Sequence, residues 1–261
     1  MPDFITAPAV RSMRAKGVKV VCITAYDAVF GAMADAAGAD IVLVGDSVGN
    51  TALGYPSTLP VSLEEMLHHT RATRQGVRRA LLVADLPFGS YQASVEQAVS
   101  ASIALVKAGA QAVKLEGRYT EAIAEIIRAG IPVMGHVGMT PQSLNIYGGF
   151  RVQGKGESGQ AVIDAAKQVE NAGAFSIVLE LIPAHLASVI TDDLHIPTIG
   201  IGAGAHCSGQ VQVIYDVLGL TQGPLKHAKG YISGYECFVN AIKDYAAEVR
   251  EGVFPSEENS F

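Results

Sequence analysis

The sequence predicts a parallel α/β fold closed into a (β/α)8 TIM barrel with an eight-stranded core. Three observations carry that expectation. Apolar residues make up 49% of the 261 residues and charged residues only 17%, the balance of a chain whose strands are buried on both faces. There are eight short apolar runs, and most of them are rich in Val and Ile and end at Gly, Asp or Pro, as buried strands do. Helix-like stretches alternate with most of these runs. Eight such units in about 250 residues match a barrel; an open, doubly wound sheet is the alternative.

The strand-like runs are residues 18–25, 40–45, 80–86, 112–115, 132–138, 176–182, 197–202 and 211–217. An N-terminal helix precedes the first. The helix-like stretch 27–37 carries Val29, Phe30, Met33 and Ala37. The stretch 63–74 follows Ser62, which with Glu65 spells a capping box, and Ser94 with Gln97 repeats it at the head of 94–107. The stretches 119–128 and 159–171 follow, and a last helix is expected over 234–250. Helices exit through Ala37-Gly38-Ala39, Ala108-Gly109-Ala110, Ala129-Gly130-Ile131 and Ala172-Gly173-Ala174. Glycine just past a helix end is the expected stop. The seventh and eighth strands leave little room for a helix between them, so the last helix has to cover more than usual or pack on another subunit. Loops rich in Gly or Pro are expected at 49–60 and 140–159, the second long enough to be a lid. No composition shift marks a linker, so one domain over 1–261 with a polar tail is expected.

The net charge is −6, with 19 Lys and Arg against 25 Asp and Glu. Neither nucleic acid nor an anionic membrane is expected as a partner of such a chain. Trp is absent, which argues against a stacking platform for single strands. Cys22, Cys207 and Cys237 form neither a CxxC pair nor an even framework, so a reduced, cytoplasmic setting is expected. The first residues carry Arg11, Arg14 and Lys16 without an apolar core, so no signal peptide is expected. No run reaches the ~18 apolar residues of a membrane helix.

Charged residues within the runs cluster at their C-terminal ends, where parallel α/β enzymes build their sites. Asp46 ends the second run, Asp85 the third, Lys114 and Glu116 the fourth; His136 and Glu180 lie near the ends of the fifth and sixth. Alternation groups Val42, Val44 and Asp46 on one side of a strand, Leu81, Val83 and Asp85 on another, and Val178, Glu180 and Ile182 on a third. Each group is expected to face inward. Carboxylates on adjacent strands repel unless a cation lies among them, and oxygen ligands suit Mg2+, which takes one or two carboxylates and keeps waters. Asp46 and Asp85 are therefore candidate direct metal ligands, with Glu116 reaching through water. A carboxyl in apolar surroundings holds its proton more tightly than one in water, which makes Glu180 a candidate general base for a carbon acid. Lys114 is placed to neutralise a substrate carboxylate, and His136 to hydrogen-bond substrate. The plainer readings stand beside these: a cap or ion pair for the aspartates, a paired glutamate, a snorkelling lysine, a structural histidine.

Three short motifs carry less. Gly45-Asp46-Ser47-Val48-Gly49 matches a nucleophile elbow, which needs a helix directly after the Ser; a loop is expected there. Residues 149–155 nearly match a phosphate loop, but Gly156 follows in place of Ser or Thr. Gly200, Gly202 and Gly204 read as a glycine-rich strand end close to a ligand.

Longer segments are more specific. They include Ile23-Thr24-Ala25-Tyr26-Asp27, Val44-Gly45-Asp46-Ser47-Val48-Gly49, Ala84-Asp85-Leu86-Pro87-Phe88-Gly89-Ser90-Tyr91 and Val113-Lys114-Leu115-Glu116-Gly117. Gly135-His136-Val137-Gly138-Met139-Thr140-Pro141-Gln142, Gly148-Gly149-Phe150-Arg151-Val152-Gln153-Gly154-Lys155 and Ile199-Gly200-Ile201-Gly202-Ala203-Gly204 continue them. With these segments the sequence resembles, nearly end to end, the ketopantoate hydroxymethyltransferases (3-methyl-2-oxobutanoate hydroxymethyltransferases). The resemblance implies a barrel that makes ketopantoate for pantothenate and coenzyme A biosynthesis. It implies transfer of a hydroxymethyl group from 5,10-methylenetetrahydrofolate to 3-methyl-2-oxobutanoate, a need for Mg2+, and a homodecamer built as a pentamer of dimers. Carried over by position, Asp46 and Asp85 are implied metal ligands with Glu116 near the metal. Ser47 and Lys114, with the two aspartates, are implied contacts of the oxo acid, and Glu180 the proton acceptor. The alternative is another Mg2+-dependent 2-oxo-acid enzyme, a carbon–carbon lyase or phosphonopyruvate mutase. No Lys-x-Cys-Gly-His stretch, which supplies the acid–base Cys of those enzymes, is present.

Overall fold

Eight strands pair in parallel and in sequence order, and the eighth closes on the first. The computed structural model describes residues 4–221, 223 and 225–261. They divide into two units, 1–213 and 214–261. The first unit holds all eight strands and is the expected (β/α)8 barrel.

The elements follow in order: α1 (Ala7–Ala15), β1 (Val20–Thr24), α2 (Ala28–Ala36), β2 (Ile41–Val44), α3 (Val48–Thr51), α4 (Leu63–Gly76), β3 (Leu81–Asp85) and α5 (Val95–Lys107). Then come β4 (Ala112–Lys114), α6 (Thr120–Arg128), β5 (Val133–Gly138), α7 (Leu144–Tyr147), α8 (Gly159–Asn171), β6 (Ser176–Glu180), α9 (Ala184–Asp193), β7 (Thr198–Ile201) and β8 (Gly209–Gln212). The second unit holds α10 (Ile214–Val217) and α11 (Gly234–Glu251).

Local chemistry sets these boundaries. Asp27 Oδ1 accepts the Phe30 N–H at 2.8 Å and starts α2. At α4 the capping box closes both ways: Ser62 Oγ accepts the Glu65 N–H, and Glu65 accepts the Ser62 N–H. At α5 only half of it forms. Ser94 Oγ accepts the Gln97 N–H, but the Gln97 amide turns away to the Gly89 carbonyl. The four Ala-Gly exits behave alike, with Gly38, Gly109, Gly130 and Gly173 all at positive φ, where a side chain would meet its own carbonyl.

The barrel interior is filled by alternate residues: Val20 and Cys22, Ile41 and Leu43, Leu81 and Val83, Ala112, Met134, Val178, Ile199 and Val211. Helix α1 adds Ala7 and Val10 to this cluster. It does so beside the starts of the strands, where the Ile5 N–H donates to the Arg79 carbonyl at 2.7 Å. The opposite end, where the strands finish, is left for chemistry.

Four expectations are corrected. Residues 211–217 are not one strand: β8 ends at Gln212, and 214–217 form a helical turn. A short apolar run does not by itself tell strand from helix. Helix α9, which buries Leu186, Ala187 and Ile190, begins directly after Pro183 and was not anticipated from the apolar run before it. The stretch 140–159 is not all loop, since it contains a 3-10 turn over Pro141–Ser143 and α7. Finally, Ser47 is followed at once by the helical turn α3, as a nucleophile elbow requires. The Ser47 hydroxyl, however, lies 2.8 Å from the Tyr26 hydroxyl, so its bonded neighbour is a phenol. As anticipated, no helix separates β7 from β8.

Helices α2 and α4 cross so closely that a Cβ on Gly76 would lie 2.0 Å from the Ala28 carbonyl oxygen. Alanine is favoured over glycine inside a helix by roughly 1 kcal/mol, but overpacking of this kind costs about 1–3 kcal/mol. The clash is with backbone, so it wins. Gly76→Ala is expected to lower the urea midpoint; an unchanged or raised midpoint would show that propensity prevails.

Candidate active site

The ends of β2 to β6 bring the charged residues together. Asp85 ends β3 on the same side as Leu81 and Val83, and Lys114 ends β4 beside it in register. Lys114 Nζ donates to Asp85 Oδ1 at 2.7 Å, and both side chains are almost fully buried. Glu116 and His136 are buried as well. Glu180 closes β6 with its side chain 16% exposed, the wettest carboxyl of the group.

Asp46 arrives differently from the sequence expectation. The interior takes Ile41 and Leu43 from β2, so Val42 and Val44 face the other way and strand alternation does not point Asp46 inward. The strand stops at Val44, and the turn after it carries the residue in. The Asp46 N–H then donates to Asp85 Oδ2 at 3.0 Å. Ile182 likewise lies beyond the end of its strand, and alternation says nothing of it.

The electrostatics follow from burial without water. Burial pushes the Asp46 carboxyl well above the usual carboxylate range, and Asp85 and Glu116 push it further. For Glu116 burial also works upward, but His136 and Lys114 outweigh it and hold the carboxyl below its ordinary value. Burial alone would lower Lys114; Asp85, Glu116 and Asp46 raise it instead. His136 stands between two carboxylates, Nδ1 3.3 Å from Glu116 and Nε2 3.3 Å from Glu180. Neither approach has the alignment of a hydrogen bond. Burial opposes the imidazolium, yet the two carboxylates raise His136 to about 9. Near pH 7 the ring is thus a buried cation, and it helps to hold Glu116 ionised.

The rim beside Glu180 is strained. Leu181 adopts a φ of 44°, which costs a residue other than glycine about 1–3 kcal/mol. Its N–H donates to the Ile201 carbonyl and its own carbonyl accepts the Gln153 N–H, each at 2.9 Å. Gly138, at φ 98°, lets β5 approach so closely that a Cβ there would lie 2.3 Å from the Glu180 carbonyl oxygen. The Met139 N–H bonds that same oxygen at 2.9 Å. Glu180 is therefore held through its own carbonyl from the β5 side and through its neighbour Leu181 from β7.

Two uncharged residues join the site without having been singled out. Tyr26 links Thr24 and Ser47 through its hydroxyl, and burial raises its phenol to about 12, so it remains a neutral donor. Gln142, from the turn after β5, donates to Asp46 Oδ2 at 2.8 Å. Their sequence signal was their place in the long segments that carry the family resemblance.

Four carboxyl groups thus meet two cationic ones, Lys114 and His136. The donor set is oxygen throughout and carries an excess of negative charge, which fits a hard divalent cation such as Mg2+. Among the described residues no three His, Cys, Asp or Glu side chains close on one point as a complete cage.

Fold and site together define a (β/α)8-barrel enzyme with a buried cluster of charged side chains at the C-terminal ends of its strands. Solved structures with this fold include phosphonopyruvate hydrolase in complex with oxalate and magnesium (TM-score 0.63, 15% identity, 99% of this chain and 93% of that one). Oxaloacetate acetylhydrolase in complex with the product oxalate is another (0.63, 12%, 98% and 90%). At those identities the likeness is one of fold. The chain belongs to the ketopantoate hydroxymethyltransferase family, whose model matches residues 5–257. Among curated relatives, the 3-methyl-2-oxobutanoate hydroxymethyltransferase of Syntrophus aciditrophicus is 51% identical over 98% of this chain and 96% of its own length. That of Carboxydothermus hydrogenoformans is 49% identical over 99% and 96%.

Proposed function

We propose that this barrel makes ketopantoate, transferring a hydroxymethyl group from 5,10-methylenetetrahydrofolate to 3-methyl-2-oxobutanoate. The observation that carries the reading is the buried set Asp46, Asp85, Glu116 and Lys114, with Glu180 at its open edge. Asp46 and Asp85 would hold Mg2+ directly, with Glu116 near it. Bound there, the ion supplies a Lewis acid that polarises the keto oxygen.

The chain's own groups divide the remaining work. Lys114, held by Asp85, presents fixed positive charge where negative charge grows on the substrate oxygen. Ser47, ordered by Tyr26, offers its hydroxyl to the oxo acid. Glu180, with His136 Nε2 3.3 Å from its carboxyl, accepts the proton from C3. C3 then bonds to the one-carbon unit as that carbon's two bonds to folate nitrogens break; water supplies the hydroxyl oxygen, and tetrahydrofolate leaves with two N–H protons, one from C3 by way of Glu180 and one from the water. His136 would hydrogen-bond substrate as well, from its position between Glu116 and Glu180. The segment 140–159, which sends Gln142 to Asp46, would shield the site from bulk water.

The same reading extends to the setting. A cytoplasmic location is supported by Cys22, Cys207 and Cys237, all free thiols. No helix among the described residues is long and apolar enough to cross a membrane. Self-association is supported by α11, where exposed Tyr235, Phe238, Ile242, Tyr245 and Val249 recur every three or four residues; the homodecamer is what the family resemblance implies.

The test is formation of ketopantoate from the oxo acid and methylenetetrahydrofolate. Product is expected with Mg2+, lost with EDTA and restored by excess Mg2+. No product under any of these conditions would overturn the activity; equal product with EDTA would overturn the metal.

A further inference from the structure

We infer that Gln142 is a positioning residue that aims the Asp46 carboxylate and locks the ends of β2, β3 and β4 into one frame. The inference rests on the reading of Asp46 as a ligand for the cation and the oxo acid.

Gln142 is 6% exposed, and every polar group of its side chain is engaged. Its Oε1 accepts from the Tyr91 hydroxyl at 2.6 Å and from Gln92 Nε2 at 2.9 Å. Both neighbours act as donors there, so the acceptor end of the amide must face them and the NH2 must face the other way. That NH2 donates to Asp46 Oδ2 at 2.8 Å and to the Leu86 carbonyl at 2.9 Å. The amide cannot flip without setting oxygen against oxygen at both of these partners. The Gln142 backbone N–H meanwhile donates to Glu116 Oε2 at 2.9 Å.

One residue thus holds two of the three clustered carboxylates, Asp46 by its side chain and Glu116 by its backbone, and anchors the chain just past β3. An amide suits the task because it fixes one carboxylate oxygen without adding charge. It also leaves the Asp46 charge available to a cation, where a Lys or Arg at 142 would compete. Preorganised ligands bind more tightly because less freedom is lost on binding. Substituting the side chain leaves the backbone bond to Glu116 possible, so variants report mainly on Asp46.

The experiment compares Gln142→Leu, Tyr91→Phe and Asp46→Asn with the unsubstituted protein. Mn2+ binding to the protein alone is followed by electron paramagnetic resonance, with KM and kcat measured for the oxo acid. Asp46→Asn is expected to abolish Mn2+ binding. Gln142→Leu is expected to weaken it at least tenfold and to raise KM more than it lowers kcat. Tyr91→Phe, which removes one of the two donors to the amide oxygen and leaves Gln92, is expected to weaken Mn2+ severalfold in the same direction. A folded Gln142→Leu with Mn2+ affinity and KM within twofold of the unsubstituted protein would overturn the inference alone. Should Gln142→Leu not fold, Tyr91→Phe decides by the same criterion. Undiminished Mn2+ binding by Asp46→Asn would overturn the underlying reading, and the inference with it.

Discussion

Glu180→Gln is expected to stop exchange of the C3 proton of 3-methyl-2-oxobutanoate in deuterium oxide while leaving the oxo acid bound. The amide has the shape of the carboxylate and no basicity. General base catalysis is worth typically 10²–10⁴-fold, and a carbon-bound proton beside a ketone is a demanding one, so the loss belongs towards the upper end of that range. The geometry makes the experiment clean. Glu180 is fixed by its backbone, through the Met139 N–H and the close approach of Gly138, so the side chain can change while β6 stays in place. Its side chain is the most exposed of the site carboxyls, which limits the cost of the change to stability. His136 would lose one of the two carboxylates that raise its pKa, and its imidazolium would persist less far into alkaline solution. Exchange is the readout of choice because it needs no folate and isolates proton removal from carbon transfer. Exchange at the unsubstituted rate would remove Glu180 as the base and leave the other roles at the site intact.

The barrel was legible because its signals are local and repeated. Each Ala-Gly exit needs a residue that tolerates positive φ, and all four glycines adopt it. Each buried strand needs apolar side chains on both faces, which turns period-two alternation into a run. That same property hides the facing of a strand. For β2 every residue is buried, so nothing in Ile41 to Val44 says which side lines the barrel, and Asp46 was assigned to the inward set through Val42 and Val44. The charged members of the site were legible because charge inside an apolar run needs a reason. Gln142 and Tyr26 carry no charge and lie beyond the strands, in turns where polar residues are ordinary. Only contact across sequence separations such as 96 residues, from Gln142 to Asp46, gives them a role. Helix α9 was missed because its apolar positions, Leu186, Ala187 and Ile190, continue from a strand whose own pattern was already apolar. Whether Ser47 opens a helix was likewise hidden, since α3 is only four residues long.

Lys114→Met is expected to destabilise the barrel more than any other single change at the site. The Lys114–Asp85 pair is 2.7 Å long with both side chains about 95% buried. Removing one partner of such a pair costs about 3–5 kcal/mol, because the other charge stays buried and uncompensated. Here the penalty spreads over Asp85, Asp46 and Glu116, all of which act on the Lys114 ammonium, and His136 becomes the remaining cation. The pH dependence follows from the sign of the perturbation. A carboxyl whose folded-state pKa is raised above its unfolded value binds its proton first in the folded state, so it destabilises progressively as pH rises. Asp46 is raised already, and Lys114 works downward on both Asp46 and Glu116, so its loss moves both carboxyls up. The stability deficit of Lys114→Met, measured by urea unfolding, should therefore be largest near pH 7 and shrink towards pH 5. Adding Asp85→Asn removes the stranded charge, and the double variant should be more stable than Lys114→Met alone. A deficit under 1 kcal/mol at pH 7, or one that grows on acidification, would show that the carboxylates do not depend on Lys114 for their charge. The same reasoning joins stability to function, because the excess of negative charge that makes Lys114 indispensable is also what gives a divalent cation its place.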